Sequence, residues 1–307
     1  MKKLILSIII VNWNGCKILR NCLNSIIKLN KAENYEIIVV DNASSDESVE
    51  MLEREFPQVK LIVNEMNYGF AKANNIGINS CFGDIILLLN SDTEIIKRDT
   101  FQKVVYFLNN NNEIGILGLR LVFSDGSEQS PGGKFLSVWQ LVKYQILFLD
   151  SPIFYKMRNK LSKKKNDEFY EIDYVSGACL FVKRKVFEEI GLLNEEFFMY
   201  GEDMEFCVRA KQKGWGIGIL PSVRVVHLKS QSTKKNFEAA LTNAIKNNCF
   251  LVRKFYGKNK ALIAHTIYTF GLLLRLFLAF FRKNESPKSY FKIISNNFKL
   301  QYQLLIN

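Results

Sequence analysis

The residues able to do chemistry in this chain are a few acids, one imidazole and a polar loop. Asp41 closes the run Glu36–Val40, and Asp92 follows five consecutive aliphatic residues, Ile85–Leu89, in the segment GDIILLLNSDT. Such a run between polar boundaries predicts a strand buried on both faces. A carboxylate at its carboxyl end stands on the edge where open α/β sheets bind ligands. Glu202 and Asp203 precede a helical pattern of Met204, Phe206, Cys207, Val208 and Ala210. An acid pair there either complements the positive end of the helix dipole or has a chemical role, whereas Glu205 and Arg209, at i,i+4 spacing, read as a helix ion pair. His227 follows the β-branched Val223–Val226 run and is either structural or the completion of a metal site begun by Asp92. The stretch Asn67–Asn75 is a polar loop opening into a helix, where free amides and Lys72 can meet phosphate or simply cap.

The elements that must carry these groups follow from periodicity. Leu4–Val11 predicts a buried strand, Cys16–Leu29 an amphipathic helix, Glu36–Val40 a second strand, and Val59–Val63 a third. Ser44-Ser45-Asp46 offers a helix cap, with Glu47 in the first turn and Pro57 as the stop. Phe70–Cys81 reads as a third helix before the central strand. Four strands alternating with three helices predict an α/β fold with a doubly wound, mostly parallel sheet. In such a sheet Asp41 and Asp92 converge on one crevice. Further on, Gly115–Phe123 predicts a strand, Ser124–Ser127 a turn, and Tyr174–Val182 a strand running through the small residues Ser176-Gly177-Ala178. Trp139–Leu149 is apolar enough to line a pocket or face lipid, and Lys163–Asn166 reads as an exposed linker.

Composition narrows the class. The chain has 307 residues, 48% hydrophobic and 23% charged, enough for one large or two modest globular domains and far from a disordered or fibrous profile. Six scattered cysteines without a CxxC pair suggest neither a zinc site nor a disulfide framework, and point to a cytoplasmic location. The net charge of +12 is carried by one end: residues 225–307 hold 14 Lys/Arg against 2 Asp/Glu, while the first 100 hold 11 against 13. A basic terminus of this kind seeks an anionic surface. Ala261–Phe281 is long enough to span a bilayer. Yet Arg275 lies within it, and Arg282, Lys283 and the later lysines follow, which favours a helix lying in the membrane interface over a true span or an ordinary packed helix. The aromatic residues there sit in an apolar run and do not alternate with Lys and Arg on a sheet, so nucleic acid is not the expected partner. The sequence has neither GxxxxGK[ST] nor GxGxxG after the first strand, which argues against P-loop and nicotinamide enzymes.

Six blocks in order carry a specific likeness: SIIIVNWNG (Ser7–Gly15), VVDNASSDES (Val39–Ser48), NYGFAKANNIGI (Asn67–Ile78), LLLNSDT (Leu87–Thr93), VSGACLFVKR (Val175–Arg184) and NEEFFMYGEDMEFCVRAKQKGW (Asn194–Trp215). Together they resemble family 2 glycosyltransferases, most of all the bacterial rhamnosyltransferase-like branch, over roughly residues 4–255. The resemblance implies a GT-A fold, a nucleotide-sugar donor, Mg²⁺ or Mn²⁺, and inversion at the anomeric carbon. It implies that Asp41 binds the base or ribose with Asn12 and Asn14 nearby, and that Asn67, Lys72, Asn74 and Ser91 belong to the donor side. Asp92 becomes the metal-binding acid of a DxD-type motif written here Asn90-Ser91-Asp92, His227 its second ligand, and Asp203, or its neighbour Glu202, the general base. The expected donor is dTDP-L-rhamnose, with a UDP-hexose or UDP-N-acetylhexosamine as the alternative. The expected acceptor is a lipid-linked saccharide of cell-surface polysaccharide synthesis, met by a protein peripheral on the inner face of the cell membrane. The expected domains are residues 1–257, divided into a nucleotide-sugar half (1–123) and an acceptor half (124–257), followed by a basic helical segment, 258–307.

Overall fold

A computed structural model describes residues 5–29, 34–135, 137–147, 169–228, 237–281 and 286–306. The expected linker at Lys163–Asn166, the end of the Trp139–Leu149 stretch and the flanking Arg282 and Lys283 lie outside these residues. The chain divides into two compact units: residues 1–135 with 166–229, and residues 136–165 with 230–307.

The first unit is a sheet with helices on both faces. Its strands are β1 (Leu6–Asn12), β2 (Tyr35–Asp41), β3 (Lys60–Val63), β4 (Ile85–Asn90), β5 (Thr93–Ile95), β6 (Ile114–Val122), β10 (Cys179–Lys183) and β11 (Gly216–His227), with the short β8 (Tyr170–Glu171) pairing to β11. Two further short strands, β7 (Gly132–Gly133) and β9 (Tyr174–Val175), pair with each other. The order across the main sheet is β3-β2-β1-β4-β10-β6-β11-β5. β1 to β4 run parallel, β10 is antiparallel to both β4 and β6, β11 is parallel to β6, and β5 turns back antiparallel to β11. The parallel strands therefore deliver their carboxyl ends, and β10 its amino end, to one edge.

Alternation along each strand builds two cores, because successive side chains point to opposite faces. Ile8, Ile10, Ile37, Val39, Leu87 and Leu89 pack against Leu19, Leu23 and Ile26 of helix α1 (Cys16–Leu29), Met51 of α2 (Ser48–Glu55), and Phe101 and Val104 of α4 (Thr100–Asn110). Their neighbours Ile9, Ile38, Val40, Ile86 and Leu88 pack against Ala71, Ala73 and Ile78 of α3 (Gly69–Asn79) and against Phe206 and Cys207 of α7 (Glu202–Gln212). A sixth helix, α6 (Arg184–Ile190), follows β10 directly. Both faces covered is the reason the strands read as continuous aliphatic runs.

Three local expectations are corrected. The helix after Asp41 starts at Ser48, and its N-cap residue Glu47 makes no side-chain cap bond. Asp46 instead accepts from Ser48 N (3.1 Å) and from Cys16 N (3.0 Å), tying two helix starts together. The strand expected over Tyr174–Val182 is broken at Ser176–Ala178, where Cys179 N donates to Ser176 O and Ala178 N to Ser176 Oγ. The Val223–Val226 run is the end of the longer β11, whose register shifts between Leu220 and Arg224, around Pro221.

The second unit packs α5 (Val138–Gln145), α8 (Phe237–Tyr256), α9 (Lys258–Ala279) and α10 (Pro287–Ile306) around Leu141, Ile245, Cys249, Ala264, Tyr268, Leu272 and Ile293. Thus α8, which the sequence reading joined to the first domain, shares a core with the helices after residue 257. Within this unit α9 turns His265 and Arg275 toward its neighbours, while Lys258, Lys260 and Thr266 are exposed. His265 is buried, and Arg275 donates to Gln145 O, Gln145 Oε1 and Tyr144 O at the carboxyl end of α5. A guanidinium there meets the carbonyls that a helix leaves unbonded. The other face of α9 exposes Ile263, Phe270, Leu273 and Phe277, continued by Phe280 just past the helix end, with Thr266 the polar residue among them and Phe277 62% exposed.

Candidate functional site

The carboxyl edge of the sheet gathers the sequence-predicted residues of the first unit. At the ends of β1 and β2, Asn12 Nδ2 donates to Asp41 Oδ2 (2.8 Å) and Ser44 Oγ (3.2 Å). Ser44 N donates to Asp41 Oδ1 and Ser44 Oγ to Asp41 Oδ2, both at 2.8 Å. Asp41 is fully buried, and both of its oxygens hold the loop that follows β2. Asn14, with φ 52°, accepts from Ser45 N through Oδ1 (2.7 Å) and donates its own N–H to Ser44 Oγ (2.8 Å). Asn12 Oδ1 is buried without a hydrogen-bond partner among the described residues. That leaves an unanswered acceptor beside Asp41.

This network extends to residues that the sequence reading did not single out. Asn64 Nδ2 donates to Asn42 Oδ1 (2.8 Å), and Asn42 Nδ2 to Gly69 O (3.1 Å). Three strand ends are thereby tied to the start of α3. Gly69 sits at φ +80°, a conformation that favours glycine, and a Cβ there would stand 2.3 Å from Phe198 O. Asn67 Oδ1 accepts from Gly69 N (2.9 Å), and Lys72 Nζ lies 4.2 Å from the centre of the Tyr68 ring, a cation–π distance. Asn74 is buried and donates back to Phe70 O (2.9 Å), which holds its amide inside its own helix.

Asp92 lies in the tight turn between β4 and β5, with half-buried Ser91 before it. β5 pairs antiparallel with the end of β11, placing His227 opposite Thr93, and Leu228 N donates to Asp92 O (2.9 Å). That register brings His227 Nε2 to 3.2 Å from Asp92 Oδ1 and 3.5 Å from Asn90 Nδ2. Two residues 135 positions apart in sequence thus meet as an imidazole–carboxylate pair. Gln129, another residue the sequence reading passed over, completes the group: its Oε1 lies 3.0 Å from His227 Nδ1, and its Nε2 donates to His227 O. An adjacent nitrogen and oxygen donor suit Mn²⁺ or Mg²⁺, which need few protein ligands when phosphate oxygens and water fill the rest of the octahedron.

The acid pair Glu202–Asp203 reaches the same edge by a short relay. Asn90 N donates to Ala178 O (3.1 Å), fixing the Ser176–Ala178 turn to the end of β4. Gly177 N in that turn donates to Asp203 Oδ2 (3.0 Å), and Met204 N donates to Asp203 Oδ1 (2.7 Å). Each carboxylate oxygen keeps a second lone pair. Burial raises the Asp203 carboxyl above its ordinary range, against the amide hydrogens of Gly177, Met204 and Asp203 itself, which oppose the shift. Glu202 is buried with no partner for Oε2 among the described residues; burial first, and the Asp203 charge second, push its carboxyl up to about 8. Downstream, Arg209 bonds the fully buried Glu205 (2.9 Å) and the Leu192 carbonyl (2.7 Å), so that couple is structural.

A family model described as glycosyl transferase family 2 matches residues 7–191. A hexosyltransferase of low-salt glycan biosynthesis, Agl10 of Haloferax volcanii, is 29% identical over 231 residues, 72% of this chain and 66% of that protein. An N-acetylglucosaminyl-diphospho-decaprenol L-rhamnosyltransferase of Mycobacterium tuberculosis is 24% identical over 216 residues, 65% of this chain and 68% of that protein. Other relatives are longer, and the alignments span only 25% and 18% of two of them. Among solved structures, GalNAc-T7 with UDP, GalNAc and Mn²⁺ superposes with a TM-score of 0.63 at 20% identity, covering 99% of this chain and 59% of that one. The fold is accordingly that of the GT-A enzymes.

Proposed function

This chain belongs to glycosyl transferase family 2, and from that premise we propose an inverting, metal-dependent glycosyltransferase that moves a sugar from a nucleotide donor to a hydroxyl of a lipid-linked glycan. L-Rhamnose from dTDP-L-rhamnose is the donor we favour, on the likeness to the decaprenol-linked rhamnosyltransferase. The observation that carries the reading is the 3.2 Å approach of His227 Nε2 to Asp92 Oδ1 on the same sheet edge as Asp203.

In this reading Asn12, Asn14, Asp41, Asn67, Lys72, Asn74 and Ser91 form or support the donor side. The bonds of Asp41 suit it to shaping the loop after β2 around the nucleotide, while Asn74 is held inside its own helix. Asp92 and His227 hold a divalent cation, which when bound neutralises the charge growing on the departing diphosphate. Asp203, its carboxylate held by two backbone N–H groups, takes the proton from the acceptor hydroxyl as that oxygen attacks the anomeric carbon. Displacement by a single attack inverts the anomeric centre and needs no covalent intermediate. Burial raises both carboxyls of the adjacent Glu202–Asp203 pair, so the pair resists carrying two charges at once.

Location at the inner membrane face is proposed from two features of the second unit: the basic excess of residues 225–307 and the exposed apolar face of α9. With Arg275 engaged by α5, the outward face offers aromatic residues to lipid while the surrounding lysines meet anionic headgroups.

A thermal-shift screen of nucleotide sugars with Mn²⁺ tests the donor. A ligand at 100 times its dissociation constant adds about 2.7 kcal/mol of stability. Stabilisation by dTDP-L-rhamnose above the UDP sugars is expected. A larger response to UDP-GlcNAc or a UDP-hexose moves the assignment there, and no response to any nucleotide sugar overturns the enzyme reading.

A further inference from the structure

We propose that Gln129 is a positioning residue that fixes the His227 ring as an Nδ1–H tautomer and so presents the Nε2 lone pair to the cation; the proposal rests on the reading that Asp92 and His227 bind that cation. The argument is one of donors and acceptors. The backbone carbonyl of His227 can only accept, so the Gln129 side chain must turn its NH₂ toward it, as the bond from Nε2 to that oxygen requires. The amide oxygen Oε1 is then the atom 3.0 Å from His227 Nδ1, and an oxygen there is satisfied only by an N–H. In the neutral ring the proton therefore sits on Nδ1. Nε2 is left as an acceptor, facing Asp92 Oδ1 at 3.2 Å and the Asn90 amide nitrogen at 3.5 Å. A nitrogen lone pair and a carboxylate oxygen in direct approach repel unless a proton or a metal ion lies between them.

The fold builds this clamp deliberately. After β6 the chain reverses through an Asp125–Ser127 turn, with Gly126 at φ +78° and Asp125 Oδ1 accepting from Ser127 N (2.8 Å). Val122 then bridges Glu128, and Gln129 N donates to Leu121 O (2.9 Å), so that the buried Gln129 side chain is anchored by its own backbone before it reaches His227. Two contacts, to the ring and to the carbonyl of the same residue, leave the imidazole one orientation. Partners of this kind on a ligating histidine set its tautomer and basicity, and their removal typically costs about 10- to 100-fold in metal affinity.

The chain contains an internal control. It has 2 histidines, and the other, His265, places Nε2 at 2.8 Å from the Asn297 carbonyl, which requires the opposite, Nε2–H tautomer. Long-range ¹⁵N–¹H spectra of the full-length, metal-free, ¹⁵N-histidine-labelled protein at alkaline pH are expected to show one ring of each kind. The Nδ1–H set should disappear in His227→Ala. Mn²⁺ affinity, read from the free-ion electron paramagnetic resonance signal with saturating UDP and, separately, dTDP, is expected to fall about 10- to 100-fold in the near-isosteric Gln129→Met. The His227 ring should revert there to Nε2–H. Gln129→Glu, which retains an acceptor for Nδ1–H but has no donor for the His227 carbonyl, should keep the wild-type tautomer and restore only part of the affinity. Two Nε2–H rings in the wild type, or unchanged Mn²⁺ binding in Gln129→Met, overturn the proposal without need of any activity measurement. Equal Mn²⁺ binding by wild type and His227→Ala overturns instead the ligand role of His227 on which it rests, whatever the tautomer.

Discussion

Asp203 and Glu202 are adjacent in sequence and differently held. Asp203 is gripped by the amides of Gly177 and Met204, whereas Glu202 Oε2 is buried without a bond among the described residues. Asp203→Asn keeps the shape and one of the two amide bonds, since its NH₂ cannot accept, but removes the base, so donor binding is expected to survive while transfer falls about 10²- to 10⁴-fold. A collapse of the melting temperature in that variant would assign Asp203 to the helix start alone. For Glu202 the folded carboxyl stands near 8 against an ordinary 4.5. The folded chain thus binds more protons than the unfolded one between those values, and stability falls as pH rises through that window. Glu202→Gln is expected to flatten the slope, which melting curves between about pH 5 and about pH 9 will read. Asp92→Ala should abolish metal-dependent donor turnover, and turnover that persists in chelator would contradict the cation role.

The elements act through their ends. β5 is three residues long, yet its antiparallel pairing with β11 is what brings His227 to Asp92. The turn before β10 performs the same service for Asp203 through Gly177. At the start of α3, Gly69 O accepts from Asn42 Nδ2 and the next amide, Phe70 N, donates to Phe198 O (2.7 Å), so the Asn42–Asn64 network is joined to the Phe198 segment through this turn. Gly69→Ala must accommodate both a left-handed backbone and a methyl group 2.3 Å from a carbonyl oxygen. A loss exceeding about 1 kcal/mol is expected, seen as a lower melting temperature together with weaker nucleotide binding. Strands and helices of the first half were legible because both faces of the sheet are covered and the aliphatic runs are continuous; Cys16–Leu29 is a helix at both ends as expected. The short β5 and the break at Ser176–Ala178 were not, since each depends on a partner strand distant in the chain.

At the scale of the molecule, α8 shares the core of the second unit with α5, α9 and α10, so removing residues 258–307 would strip the cover from Ile245, Cys249 and Val252. Release from a membrane is better tested by point changes on the exposed face. Replacing Phe270, Phe277 and Phe280 by serine is expected to abolish cosedimentation with anionic vesicles while leaving soluble-donor binding intact, and undiminished pelleting would refute the contact. Salt-sensitive retention on those vesicles, with none on RNA or DNA, is the companion expectation from the basic terminus.

Taken alone, the order of residues determined the fold class and the family and nominated the acids proposed to act, because hydrophobic period and short motifs are local properties of a chain. It could not assign Gln129 to His227, nor spend Asp41 on holding a loop and Asn74 on its own helix. Those outcomes rest on which donors and acceptors come within 3 Å once strands far apart in sequence share a sheet. Hydrogen bonds are short-ranged and directional, so only the tertiary structure decides which polar side chains are occupied and which remain for a ligand.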